Sequence, residues 1–508
     1  MYTSRSELQI GIALIVMAAV ILWWRWVGYQ GHDDAYYAEA ASAWVQHAPS
    51  LGTNHWALRY PLVLPTAVLI KIFGPSLPVY ALVDVTAYLS FLILGYAAAR
   101  HWFGIGAAVA LTVIGIVLPQ FPVQATYANP DMLEMSFIMG SFWLLMFARQ
   151  RGGPWLMMLG AGLLAGLAFL TRETTLALFP LYGFMFLFQP AVPRWKYLLV
   201  AAGFVLIVGA QMGWFALEAG DPLYRFRISA THDTVDRAGL AGQVTGALDK
   251  EGVLVAGLFW GPILALFLSQ KYGLLFYYAV FSSPWLLFKD QMNPQARLLV
   301  IWSIVGSITS FLFVALNVSV LYIVPRYFMV TAAMASIPIA VLAGRLYVER
   351  SHFLIIPSIV FVSSCVIFLN LENVIPMFAE QSALSFASEQ TEVIYMERET
   401  ARRLAVIATA WGLTGRISSE PPPPGSLVAL KSGVVENCLR APFCPNRLMM
   451  ERYRPSDDWK LVASYAPPKR VFGTILRRIG VSELIPAGIF QKIEQPGESL
   501  TVYRIPAG

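Results

Sequence analysis

Gly31-His32-Asp33-Asp34-Ala35-Tyr36-Tyr37-Ala38-Glu39-Ala40 decides the reading of this chain. The stretch follows directly on the first hydrophobic span, which closes with Trp23-Trp24-Arg25-Trp26. Three carboxylates, Asp33, Asp34 and Glu39, therefore stand where a membrane helix has just reached the interface. Charged groups are costly near hydrocarbon, so such a cluster is a candidate site by default. Tyr36, Tyr37, Ala40, Ala41, Trp44 and Val45 recur on one helical face, so 35–46 is expected to lie as an amphipathic helix in the interface plane. Asp33 or Asp34 could equally serve as that helix's N-cap, a role worth about 1 kcal/mol.

Working outward, hydrophobic residues make up 57% of the 508 and charged residues only 13%, with a mean hydropathy of +0.60. This is the composition of a polytopic α-helical membrane protein. Apolar runs of spanning length fall near 10–27, 78–99, 104–119, 132–148, 155–171, 175–188, 197–217, 268–288, 298–318, 327–344 and 353–371. The stretch 253–268 is ambiguous, because Trp260-Gly261-Pro262 and the following Lys271 favour a re-entrant or interfacial helix over a twelfth span. No small-residue cleavage site follows the first span, so it reads as a retained anchor rather than a signal peptide.

Charge sets the orientation. With the N-terminus inside, the cytoplasmic loops carry Arg100, Arg149, Arg151, Arg194, Lys196, Lys289, Arg297, Arg345 and Arg350, with Asp290 and Glu349 their only acids. The outer loops, 28–61 among them, hold Asp33, Asp34, Glu39 and Asp131, and include the mixed-charge stretch 219–252. This asymmetry follows the positive-inside rule. Eleven spans place everything after about residue 372 outside; a twelfth would move it to the cytoplasm. The net charge of +6 resides in the cytoplasmic loops and gives no argument for nucleic acid. Zinc-finger, P-loop and dinucleotide patterns are absent from the sequence.

Residues 372–508 differ from the membrane domain 1–371. They hold 16 Lys+Arg and 14 Asp+Glu, against 36 charged residues in the first 371, and read as a soluble α/β domain. An amphipathic helix is expected over 388–414, with Val393, Met396, Ala401, Leu404 and Ile407 on its apolar side. Pro421–Pro424 break the chain, and strands are expected at Ser426–Lys431, Lys460–Tyr465 and Ser499–Ile505. In an exported compartment Cys438 and Cys444 could close a small disulfide loop, with two free thiols as the alternative.

Four further constellations lie at the outer ends of spans: Asn54-His55-Trp56-Ala57-Leu58-Arg59-Tyr60-Pro61 before the apolar segment 62–73, Tyr127-Ala128-Asn129-Pro130-Asp131-Met132-Leu133-Glu134, Thr171-Arg172-Glu173-Thr174-Thr175, and Val324-Pro325-Arg326-Tyr327. Acids and arginines from distant parts of the chain thus share one membrane level. A phosphate or diphosphate needs such cations, and the Arg fork binds it in bidentate fashion. Arg172, Arg326 and either Arg59 or Lys271 are the candidate clamp, and a carboxylate opposite would take a proton from an attacking hydroxyl. Plainer roles stand beside these: Arg172 with Glu173 as a structural ion pair, Asp131 as a helix cap, Arg326 snorkelling to the interface. His32, His47, His55 and His232 lack helical ligand spacing, so a divalent cation beside Asp33 has no support from pattern.

At these residues the chain resembles the GT-C membrane glycosyltransferases, in particular the lipid A aminoarabinose transferases and protein O-mannosyltransferases. Asp33-Asp34-Ala35-Tyr36-Tyr37-Ala38-Glu39 is similar to their first-loop signature, which often has Glu where this chain has Asp34. Arg59-Tyr60-Pro61 resembles their positively charged segment. Gly166-Leu167-Ala168-Phe169-Leu170-Thr171-Arg172-Glu173 and Pro325-Arg326-Tyr327 resemble two bacterial motifs. The likeness covers about 25–345. It implies a GT-C fold of about eleven transmembrane helices, with interfacial helices in the first outer loop and a periplasmic C-terminal domain. It further implies a polyprenyl-phosphate-sugar donor, no required cofactor, and inverting hexosyl or pentosyl transfer. The acceptor would be lipid A, a glycan, a glycolipid or a protein on the outer face of the bacterial inner membrane. By that carry-over Asp33 is the catalytic base and Asp131 the second acid, with Glu134 as its alternate. Asp34, Tyr37, Glu39, His55, Arg59, Lys271, Arg172, Glu173, Arg326 and Tyr327 are substrate contacts, and the two late arginines hold the donor phosphate. A transporter or flippase for a lipid-linked or anionic solute is the main rival, but such folds usually carry paired repeats, and this sequence has none. An envelope scaffold is the third reading. The topology is directly testable: an alkaline phosphatase fusion near residue 400 should be active and a cytoplasmic reporter there silent, and the reverse pair of results would place the C-terminal domain inside.

Overall fold

The computed structural model describes residues 5–232, 261–288, 292–316, 324–350, 352–371, 377–440, 447–495 and 497–507. Most of the loop 219–252, the start of the ambiguous stretch 253–268, Lys289, Asp290 and Cys444 lie outside the described residues. The apolar runs fold as helices. In chain order these are α1 (Arg5–Trp24), α2 (Asp33–Gln46), α3 (Tyr60–Phe73), α4 (Leu77–Phe103), α5 (Ile105–Val117), α6 (Gln120–Gln124), α7 (Pro130–Gln150) and α8 (Trp155–Thr171). There follow α9 (Leu178–Phe188), α10 (Tyr197–Glu218), α11 (Tyr224–His232), α12 (Gly261–Phe267), α13 (Leu275–Phe288), α14 (Pro294–Leu316), α15 (Met329–Val348) and α16 (Ile355–Leu371). Among the described residues six helices are long and apolar enough to cross a membrane, and six more apolar helices are shorter. One of the shorter six is α3, so the segment 62–73, read from sequence only as apolar, is a helix in its own right.

The bundle packs through small residues, as membrane helices do when no water is available to drive them together. α8 lies between α7 and α10. At its crossing with α10 a Cβ on Gly162 would stand 2.0 Å from the Val200 carbonyl oxygen, and one on Gly203 would stand 2.3 Å from that of Leu159. Only hydrogen fits at either position. α2 buries Ala35, Tyr37, Ala38, Ala40 and Ala41 and packs against α3, which fixes the loop 28–61 to the bundle. Val27 and Gly28 donate to the side chain and carbonyl of Thr126, at 3.2 and 2.7 Å, tying that loop to the next one.

After Leu371 the described chain continues as α17 (Phe378–Glu389), β1 (Ile394–Tyr395), α18 (Arg398–Ala410), β2 (Ile417–Ser418), β3 (Leu427–Lys431), α19 (Val434–Arg440), α20 (Arg447–Arg452), β4 (Lys460–Tyr465), α21 (Val471–Arg478), α22 (Ala487–Glu494) and β5 (Leu500–Arg504). The helix expected over 388–414 is shorter: 394–395 is a strand, and Glu397 caps α18 by accepting the N–H groups of Glu399 and Thr400. Val393 and Met396 therefore fall outside it. The sheet runs β2-β1-β3-β5-β4, with β1 parallel to β2 and β3, and β5 antiparallel to both its neighbours. Alternation along β3 sends Leu427 and Ala429 to one face and Val428 and Leu430 to the other. The first face joins the same apolar cluster as the membrane helices, and the second packs on Val435 and Tyr453. Cys438 is disulfide-bonded, and Cys365 is a free, buried thiol.

The α8–α10 crossing gives a stability test. Gly162→Val should separate the helices and cost about 1–3 kcal/mol, as overpacking does, visible as a lower thermal midpoint in detergent. Gly183→Ala, where a Cβ meets nothing within 4 Å, should leave the midpoint unchanged.

Candidate functional site

The turn entering α2 is closed by Asp34, whose carboxylate accepts the backbone N–H groups of Gln30, of Gly31 at 3.3 Å and of His32 at 2.7 Å. Asp34 is buried, and burial pushes its carboxyl up to about 6 against those three donors. Its oxygens accept from the loop backbone, so Asp34 holds the turn. Neither acid is the N-cap; that position is His32. Gly31 has φ +71°, and a Cβ there would come within 2.7 Å of the Arg403 Cβ. Glycine is what lets α18 approach the acidic loop.

Asp33 precedes Asp34 by about 100° around the helix and so faces elsewhere. Its Oδ2 accepts from Arg326 Nη2 at 3.0 Å, and a third of its side chain, 33%, stays accessible. The other side of Arg326 faces Asp131, Nε to Oδ2 at 3.8 Å, and Asp131 Oδ1 accepts from Arg172 Nη1. Asp33, Arg326, Asp131 and Arg172 thus form one continuous ionic chain. Tyr327 packs between the two arginines, its ring centre 3.9 Å from the Arg172 guanidinium carbon and 5.6 Å from that of Arg326. Arg59 stands behind, donating to the hydroxyl of the fully buried Tyr37. Burial by itself would raise the Asp33 carboxyl, but the charges of Arg326 and Arg59 outweigh it and hold the group below its ordinary value. Asp33 is therefore ionised at neutral pH. Three guanidiniums face two carboxylates, which leaves the cluster net cationic.

Asp131 is placed by a rigid turn. Asn129 is the N-cap of α7, accepting from the N–H groups of Asp131 at 3.0 Å and Met132 at 3.4 Å, while its amide donates to the Gln124 and Tyr127 carbonyls. The capping role weighed for Asp131 belongs to Asn129. Asp84, buried in α4, accepts the Asn129 N–H at 3.2 Å and pins the turn from beneath.

Two pairings differ from the sequence reading. Arg172 and Glu173 do not pair with each other: successive residues at a helix end point apart, so Arg172 reaches Asp131 and Glu173 takes two bonds from Arg225, at 2.7 and 3.2 Å. Arg225 on α11 also donates to the Leu58, Phe169 and Leu170 carbonyls. It was missed because the loop 219–252 showed only mixed charge; its signal was an arginine between two aromatics, Tyr224 and Phe226. Glu134 stays out of the ionic chain and accepts from Thr174 and Thr175 at 2.7 and 2.8 Å. With Thr174, Ser310, Tyr327, Leu181 and Met334 it lines a narrow cleft between the helices.

Of the remaining candidates, Glu39 is on the exposed side of α2, outside the ionic chain. His55 lies 3.8 Å from the ring of Trp56, and Trp56 stacks on Tyr36 at 4.3 Å. Tyr36 in turn accepts from Arg402 of α18 at 3.2 Å. Lys271 lies in the turn whose next residue, Tyr272, bonds the Pro325 carbonyl beside Arg326.

Comparison with known proteins finds a match to a family profile over part of the membrane domain and a likeness of fold to solved membrane proteins. Residues 62–214 match the family profile described as dolichyl-phosphate-mannose-protein mannosyltransferase. The fold is similar to that of ArnT from Cupriavidus metallidurans bound to undecaprenyl phosphate, with a TM-score of 0.53, 13% identity, and 97% of each chain covered. It is also similar to the Archaeoglobus fulgidus oligosaccharyltransferase, with a TM-score of 0.54, 14% identity, and 90% of this chain and 72% of that one covered. The archaeal oligosaccharyltransferase AglB from Archaeoglobus fulgidus, in complex with an inhibitory peptide and a dolichol-phosphate, aligns with a TM-score of 0.50 and 13% identity over 80% of this chain and 64% of the other. Among curated proteins none matches the chain in sequence.

Arg225→Met should lower stability by about 2 kcal/mol, below the range for a fully buried pair because Glu173 keeps 39% of its side chain in solvent. Thermal unfolding should show part of that loss recovered in the double variant with Glu173→Gln, which removes the stranded charge.

Proposed function

We propose that this protein moves a sugar from a polyprenyl-phosphate-linked donor to a hydroxyl or phosphate of an envelope acceptor at the periplasmic face of the inner membrane, with inversion. The observation that carries the reading is the ionic chain Asp33–Arg326–Asp131–Arg172, which is net cationic with Arg59 and ends in a partly accessible carboxylate. Two structures of similar fold were solved with undecaprenyl phosphate and with a dolichol-phosphate, which supports a lipid phosphate as the group the arginines hold.

In this mechanism Asp33 takes the proton of the acceptor hydroxyl, whose oxygen forms a bond to the anomeric carbon as the carbon–oxygen bond to phosphate breaks. The leaving electron pair stays on phosphate. Arg326 and Arg172 stabilise that charge, and Arg326 Nε, buried and without a hydrogen-bond partner among the described residues, supplies a donor. One displacement inverts the centre. Asp131 keeps both guanidiniums in place, and Tyr327 fixes the angle between them. Carboxylate-assisted proton removal is typically worth about 10²–10⁴-fold, with phosphate stabilisation and positioning supplying the rest.

Asp33→Asn should cut transfer from a defined polyprenyl-phosphate sugar by about 10²–10⁴-fold while the donor still binds; unchanged turnover would move the base elsewhere. A pH profile adds a second check. The base must be ionised, so activity falls as pH drops through the Asp33 value, which Arg326 and Arg59 hold low. Removing one of those cations leaves burial less opposed, so the acidic limb of residual transfer in Arg326→Gln should move to higher pH.

A further inference from the structure

The soluble domain shows an apolar surface that its own fold leaves uncovered. α21 turns one side onto α22, where Gly473 lies so close that a Cβ would stand 2.4 Å from the Glu494 Cα. The opposite side presents Val471, Ile475 and Ile479, spaced by four residues and exposed by 76, 48 and 63%. Leu484 and Ile489, exposed by 83 and 47%, follow in the next turn and in α22. Five exposed aliphatic side chains within nineteen residues exceed the scattered apolar exposure of a soluble surface.

Within 469–489 the cations Lys469, Arg470, Arg477 and Arg478 outnumber the one acid, Glu483. Lys469 and Arg477 pair with Glu494 of α22, which leaves Arg470 and Arg478 as the cations without an ion pair among the described residues. The position of this segment is fixed by the membrane domain: α22 packs on α16, and Arg470 donates to the carbonyl of Asn370, one residue before the end of that apolar helix, at 3.4 Å. α15 starts at the level of Arg326 and α16 returns, so Asn370 lies at the same end of the bundle as the site. An aliphatic stripe with flanking cations, at the mouth of a membrane helix, matches the chemistry of helices that rest in a lipid headgroup layer.

We infer that 469–489 is a bilayer-contact element, with its aliphatic side chains inserted into the headgroup layer of an anionic leaflet and Arg478 on lipid phosphates. The soluble domain is thereby held against the membrane, in the orientation that keeps α18 on the acidic loop. This inference rests on the chain being a membrane protein and is independent of the proposed transfer reaction.

The test uses the full-length protein with Leu484→Cys or, separately, Ile475→Cys, carrying an environment-sensitive fluorophore. Each is placed in vesicles of phosphatidylethanolamine and phosphatidylglycerol that contain a doxyl-labelled lipid. Leu448→Cys on α20, exposed by 80% in the same domain, is the control. Quenching at 484 and 475 should exceed that at 448 several-fold, and should weaken in phosphatidylcholine vesicles and on Arg478→Glu. Quenching no greater than at 448 overturns the inference. So does shielding that persists in detergent and grows with protein concentration, which would assign the patch to a second copy of the chain.

Discussion

A carboxylate buried at the end of a membrane helix costs several kcal/mol unless cations meet it, and Asp131 is met by two, Arg172 and Arg326. Neither arginine could sit there alone for the same reason. The pair is possible only because Asp33 balances Arg326 from the far side. Each charge therefore depends on the next, and the elements that carry them are held to a common geometry. α2 brings Asp33, the end of α8 brings Arg172, and the turn into α15 brings Arg326. The uncharged supports follow the same demand: Asn129 and Asp84 fix the turn before Asp131, and Tyr272 holds the carbonyl of Pro325.

The C-terminal sheet and its helices belong to this arrangement. The first sheet face shares an apolar cluster with the membrane helices. α18 lies against the acidic loop through Arg402 on Tyr36 and the Arg403 carbonyl, which accepts from Tyr29 at 3.2 Å. Glu399 pairs with both arginines, at 2.9 and 3.2 Å, so the contact is braced from within the helix. The aromatic stack of Tyr36 on Trp56 is the cushion on which this contact rests.

What the sequence disclosed follows the range of the forces involved. Hydropathy is local, so the membrane class was legible, and the strands at 427–431, 460–465 and 500–504 were found within a residue or two. The acidic loop and its arginines were legible because charge at a membrane boundary is conspicuous. Pairing is non-local and was not. Arg172 and Glu173 are neighbours in sequence but bond to partners 41 and 52 residues away. Asp33 and Asp34 look equivalent, yet one turn of backbone consumes Asp34 and leaves Asp33 accessible. Arg225, Asp84 and the break in the helix expected over 388–414 depend on tertiary packing, which periodicity does not contain.

In the proposed mechanism the Asp33–Arg326 contact is exchanged for a lipid phosphate. The direct measurement is a structure of the full-length protein in lipid nanodiscs with polyprenyl phosphate. The account predicts phosphate density between Arg172 and Arg326, with the Asp33 carboxylate released from Arg326 and open to the outer water. A phosphate bound elsewhere, with the Asp33–Arg326 bond intact, would contradict it.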